Sequence, residues 1–147
     1  MNARELIKSH EGLRLARYRC PAGHWSIGYR WNLDAWPLPP EIAAYYRLNG
    51  RITEGMADYL LDIALMGAIK DCRDLYPGFD SFTDSRRTAL TDFMYNLGVV
   101  RAAGFKRMRA AMREGDWDRA ADEMFDSKWR TQVGRRSETI IGMVRTG

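Results

Sequence analysis

His10-Glu11-Gly12-Leu13-Arg14-Leu15-Ala16-Arg17-Tyr18-Arg19-Cys20-Pro21-Ala22-Gly23-His24-Trp25-Ser26-Ile27-Gly28 is the stretch in which the pattern of this chain changes from helix to sheet. Just upstream, Asn2 followed three residues later by Glu5 marks a helix start, and Leu6, Ile7 and His10 make a short apolar stripe that stops at Gly12. From Leu13 the period becomes two. Leu13, Leu15, Trp25, Ile27 and Tyr29 are apolar at odd positions, while Arg14, Cys20, His24 and Ser26 take even ones. Pro21-Ala22-Gly23 supplies the turn. Pairing symmetric about Ala22 sets Cys20 opposite His24, with Ser26 two residues further along the same face. A register slip of one residue would break that placement. The stretch therefore holds a carboxyl, Glu11, where a helix meets a hairpin whose polar face carries Cys20, His24 and Ser26. Partial burial at such a junction raises a carboxyl above its ordinary pKa of ~4.3 and keeps it protonated, as a general acid must be.

Outward from this segment the chain reads as helix. Pro37, Pro39 and Pro40 mark a loop, and Glu41 to Leu48 predicts a short helix stopped by Asn49-Gly50. Thr53 caps the longest helical pattern, with Met56, Tyr59, Leu60, Ile63, Ala64 and Gly67 on one stripe, ending before Pro77-Gly78. Further helices are expected over Asp84 to Leu97, Ala102 to Glu114 and Asp116 to Phe125, with a last one running toward Val144. The strands are confined to one region near the N-terminus. The fold class is α+β, predominantly helical, as a single domain: a small β-containing lobe (13–52), a connecting helix (53–76) and a larger helical lobe (1–12 and 77–147). Such a connecting helix, at ~1.5 Å per residue, would span about 30 Å.

Composition limits the function classes. The 147 residues are 46% hydrophobic and 29% charged, enough apolar material for a core and too much for a disordered chain. No apolar run approaches the ~18 residues of a membrane span. The charged first residues do not read as a signal peptide, so the expected site of synthesis is a cytoplasm, without an export address of its own. Cys20 and Cys72 lack metal-ligand or CxxC spacing. Neither a metal site nor a cofactor is expected, since Gly-rich phosphate loops, HExxH and GxSxG are missing as well. The net charge is +4, and Arg101, Lys106, Arg107, Arg109 and Arg113 meet no acid between them. That stretch suits a polyanion, whether nucleic acid, an acidic envelope polymer or anionic lipid.

The run His10-Glu11-Gly12-Leu13-Arg14-Leu15, then Tyr18-Arg19-Cys20, then Trp25-Ser26-Ile27-Gly28, resembles the active-site segment of the phage-type lysozymes (endolysins). Their pattern is Glu, eight residues, Asp or Cys, five residues, Thr, and positions 11, 20 and 26 fit it without a gap. The resemblance extends along nearly the whole chain. Arg86-Arg87-Thr88-Ala89-Leu90, Tyr95-Asn96-Leu97-Gly98 and Ala103-Gly104-Phe105 are similar to that family's central helix pair. Ser127 to Gln132, Arg136 and Arg145-Thr146-Gly147 are similar to its C-terminal segment, particularly in the T-even branch.

The resemblance implies a two-lobed lysozyme-like fold and a muramidase that cuts the β-1,4 bond between N-acetylmuramic acid and N-acetylglucosamine in peptidoglycan, lysing a bacterial host. Glu11 would be the general acid. Cys20 and Ser26, at the positions of the Asp or Cys and the Thr, would place the attacking water. Asn96, Trp129 and Arg136 match positions near the substrate cleft, Arg136 that of an Arg close to the catalytic Glu. Trp31, with Trp36, is a candidate for stacking on sugar rings. Three departures stand out: a thiol for the second carboxylate, Ser for Thr, and Arg30-Trp31 where the family has Gly-His. Two other readings stay open, a lytic transglycosylase on the same substrate and a non-catalytic module binding wall or nucleic acid. The expected partners are peptidoglycan and an anionic envelope, with no specific nucleic acid. The protein would be a monomer waiting in the host cytoplasm until a separate holin opens the way to the wall.

Overall fold

The structure, a computed structural model, describes residues 1–147. Nine α-helices and one three-stranded antiparallel sheet follow in the order α1 (Ala3–Glu11), β1 (Arg14–Arg19), β2 (Trp25–Gly28), β3 (Trp31–Asn32), α2 (Pro40–Asn49), α3 (Glu54–Leu75), α4 (Asp84–Leu97), α5 (Val99–Ala103), α6 (Lys106–Arg113), α7 (Trp117–Phe125), α8 (Lys128–Val133) and α9 (Arg135–Thr146), with a 3₁₀ turn at Phe79–Ser81. The fold is α+β and lysozyme-like, with 67% of its residues helical. The chain divides into two compact units, Ile7–Met66 and the remainder, Met1–Leu6 with Gly67–Gly147.

In the unit Ile7–Met66, α1 begins on a reciprocal cap further back in the chain: Glu5 N–H donates to Asn2 Oδ1 at 2.9 Å, and Asn2 N–H to Glu5 Oε2 at 3.4 Å. It closes at Gly12, whose φ of 71° a glycine adopts without strain. The hairpin then pairs Tyr18 with Ser26 and Arg19 with Trp25, and Cys20 N–H donates to His24 O at 2.9 Å, so the turn is symmetric about Ala22 as the sequence indicates. Strict alternation fails along β1. The strand spends four residues, Arg14 to Tyr18, where β2 spends two, Gly28 to Ser26. Ala16 and Arg17 are therefore both exposed, and the covered positions change from Leu13 and Leu15 to Tyr18 and Cys20. The third strand, β3, pairs Trp31 with Ile27; a strand of two residues is too short for periodicity to reveal.

Thr53 Oγ1 accepts from Met56 N–H at 3.1 Å and caps α3 as expected. Its buried face matches the expected stripe only in part: Leu60 is buried as expected, together with Ala57, Leu61, Ala68 and Cys72, whereas Tyr59 and Ile63 are exposed. The helix is apolar on more than one side, so period alone does not select a face. The choice is made by packing, since a Cβ on Gly28 would meet Ala57 Cβ at 3.4 Å. Gly28 (φ 67°) lets the strand come that close to the helix.

The other unit is an all-helical core. Here α4 packs on α9, and α7 packs on α6 and α9. Phe93 lies at its centre, fully buried, with Phe105 and Trp129 set edge-on at 5.1 and 4.8 Å. Arg86 closes the end of α9: Nε donates to Val144 O at 2.8 Å and Nη2 to Arg145 O at 3.1 Å, while its guanidinium lies 4.4 Å from the Trp117 ring. The single helix expected over Ala102 to Glu114 is two. Phe105 takes ψ 63°, outside the helical range, and this turn carries its ring onto Phe93, so tertiary burial overrides local helix continuity. The short α8, capped by Ser127 and only six residues long, also escapes a periodicity reading. No helix of the chain is long and apolar enough to cross a membrane.

Candidate active site

Glu11 is the last residue of α1, and its side chain is only 6% exposed. Its Oε2 lies 3.6 Å from Nη1 of Arg30, which follows the β2 strand. Cys20 and Ser26 are buried in the hairpin. Cys20 is held below the ordinary thiol pKa. Burial opposes the thiolate, but backbone N–H groups of His24 and Ala22, the Ser26 hydroxyl and the positive charge of Arg30 outweigh it. The lowered thiol therefore comes from the backbone of His24 and Ala22, then Ser26 and Arg30, while Arg19 donates to Gly23 O at 2.9 Å and lies over the Trp25 ring.

Three details go beyond or against the sequence reading. Ser26 is 1% exposed, and its hydroxyl serves the Cys20 sulfur and the His24 carbonyl (3.3 Å), so it orients the sulfur and is itself withdrawn from solvent. His24 contributes backbone groups only; its half-exposed ring is 3.6 Å from Asp34. Tyr18, which spacing did not single out, belongs to the same group. Burial first, then the Glu11 carboxylate, pushes its phenol up, and Arg30 pulls it down. The carboxyl of Glu11, the Cys20 thiol and the Tyr18 phenol thus share the field of Arg30, with Arg14 also over the Tyr18 ring at 4.7 Å.

Trp31 is half-buried, and its indole N–H donates to Trp36 O at 3.2 Å. It ties the loop after β3, and the ring that stands exposed is that of Trp36. In the helical unit, Trp129 is 2% exposed and its Nε1–H donates to Asn96 Oδ1 at 2.8 Å. Trp129 therefore belongs to the core, where its indole fixes the half-buried Asn96. Arg136 is almost as withdrawn, with Nε 2.9 Å from Oδ1 of the fully buried Asp92. Asp92 was not legible as its partner because 44 residues separate the two.

The base-rich stretch is also reapportioned. Arg109 is half-buried and staples the α5–α6 turn through Ala103 O at 2.7 Å. Arg101, Lys106 and Arg107 line a recess to which Glu123 and Asp126 also contribute. Residues 12–33 form a second base-rich run, holding Arg14, Arg17, Arg19 and Arg30 with no acid. Arg14, Arg17 and Arg19 are exposed on β1, and Arg17 and Arg19 flank the Trp25 ring at 4.5 Å each.

The Glu11 carboxyl at the end of α1 and the Cys20 thiol of the following hairpin both fall within one short segment of the chain. Residues 8–146 match the phage lysozyme family, and the chain belongs to it. It is 24% identical to a probable T4-type lysozyme of Dictyostelium discoideum, over 98% of this chain and 94% of that protein. It is 27% identical to an endolysin of Acyrthosiphon pisum secondary endosymbiont phage 1, over 95% and 86%. It is also 27% identical to the pre-baseplate central spike protein Gp5 of Enterobacteria phage T4, over the whole of this chain but 28% of that one. A wall-degrading, lysozyme-like function follows.

Proposed function

We propose that the protein is a muramidase that hydrolyses the β-1,4 bond between N-acetylmuramic acid and N-acetylglucosamine, with Glu11 as general acid. The observation that supports this is the Glu11 carboxyl, its side chain 6% exposed, at the start of the helix-to-hairpin segment that also carries Cys20 and Ser26, inside the residues that match the family. As the bond from C1 to the glycosidic oxygen breaks, its electron pair stays on the oxygen, which takes the proton of Glu11. Water adds to C1. The Cys20 sulfur, more anionic than an ordinary thiol, accepts a hydrogen bond and then the proton from that water, while Ser26 holds the sulfur in place. The proton returns to Glu11 through solvent.

Purified sacculi incubated with the protein should release reducing ends, and Glu11→Gln should abolish the release; undiminished turnover by the variant sinks the assignment. A thiol in place of a second carboxylate favours one other reading, a lytic transglycosylase, in which the muramic acid 6-hydroxyl replaces water. Mass spectra of the products separate the two, because anhydromuramic ends would replace reducing ends. In the cell the protein would degrade the host wall as a monomer after a holin admits it, with the exposed arginines of β1 holding it to the anionic envelope. Lysis confined to permeabilised cells is the expected result.

A further inference from the structure

Arg30 is the one non-glycine residue of the chain with a positive φ, 69°. The left-handed region suits glycine; a long side chain is held there only when its surroundings demand it. The demand is visible on both sides. Gly28 is paired with Arg14, and Trp31 with Ile27, so the backbone entering and leaving Arg30 is tied into the sheet. The side chain projecting from this turn places Nη1 3.6 Å from Glu11 Oε2, with the two side chains 23% and 6% exposed. The same guanidinium acts on Cys20 and Tyr18.

We propose that Arg30 is a positioning residue for the proton donor, its disfavoured backbone conformation retained because it sets a cation against the Glu11 carboxyl. This rests on the reading of Glu11 as the acid. While Glu11 is protonated, a cation at 3.6 Å interacts only with a neutral group. As the proton moves to the glycosidic oxygen, negative charge grows on the carboxyl, and the attraction grows with it. An interaction stronger in the transition state than in the ground state accelerates the step. Because the backbone that carries the cation is tied into the sheet on both sides, little reorganisation accompanies that change.

Arg30→Gly is the informative substitution, since glycine takes φ 69° freely and folding is not at stake. On sacculi its kcat should fall 10- to 100-fold with KM little changed, and Arg30→Lys, which keeps the charge, should recover part of the loss. The pH midpoint for alkylation of Cys20 should rise in Arg30→Gly and stay near the parent's in Arg30→Lys. In a Glu11→Gln background, Arg30→Gly should raise Tm, because strain is relieved and no carboxylate is left beside the missing cation. A folded Arg30→Gly with kcat within twofold of the parent overturns the proposal. So does an equal loss in Arg30→Lys, or an unmoved Cys20 midpoint in Arg30→Gly. If the parent itself cleaves no sacculi, the proposed function fails instead.

Discussion

Asp92→Ala tests how the helical unit is held together around the Arg136–Asp92 pair. Oδ1 of Asp92 is 2.9 Å from Nε of Arg136; Asp92 is fully buried and the arginine side chain is 9% exposed. At such depth the guanidinium cannot exchange its carboxylate for water, and removing one member of a buried pair costs about 3–5 kcal/mol. With an unfolding entropy of about 2.1 cal/mol/K per residue, a chain of 147 residues has roughly 0.3 kcal/mol/K, so Tm should drop by about 10–16 °C. Urea unfolding followed by tryptophan fluorescence reads the same change, Trp129 being buried in this core. Replacing both members, Asp92→Leu with Arg136→Met, removes both charges of the pair and should return stability to within about 2 kcal/mol of the parent. A loss below about 1 kcal/mol in Asp92→Ala, or a double variant as unstable as the sum of its singles, refutes the reasoning.

In the native protein Cys20 should be alkylated by iodoacetamide with a pH midpoint below that of an ordinary cysteine, and Ser26→Ala should raise this midpoint by removing a donor to the thiolate; a midpoint unmoved by Ser26→Ala counts against the hydrogen bond. Cys72, fully buried and pushed up to about 12, keeps its proton when folded but loses it near pH 9 when unfolded. Stability should therefore be intact below pH 9 and fall by about 1.4 kcal/mol per pH unit from there toward 12, a slope that Cys72→Ala should flatten in urea titrations. Burial raises the Tyr76 phenol in the same direction, which adds a second loss from about pH 10. Gly28→Ala combines a strained φ of 67° with a Cβ 3.4 Å from Ala57, and should cost about 1–2 kcal/mol in thermal melts.

Local chemistry was legible wherever one short segment decides it. The Asn2/Glu5 and Thr53 caps, the Gly12 stop, the turn at Ala22 and the span of α4 all follow from residues within a few positions of one another. So does the candidate triad, because Glu11, Cys20 and Ser26 fall in a single helix-to-hairpin segment whose register the turn sets. Periodicity failed where an element is very short, as in β3 and α8. It failed also where two faces of one helix are apolar, as in α3, and where a ring prefers the core to helix continuity, as Phe105 does.

By itself, then, the sequence determined the α+β class, the family resemblance and the choice of Glu11 as the candidate acid, since these depend on residue types at fixed spacing. Only the tertiary structure decided which groups surround that acid. Arg30 is 19 positions from Glu11, Asp92 is 44 from Arg136, and Trp129 lies in the core rather than on a binding surface. Charge partners and burial are properties of three-dimensional neighbours, and no local period encodes them.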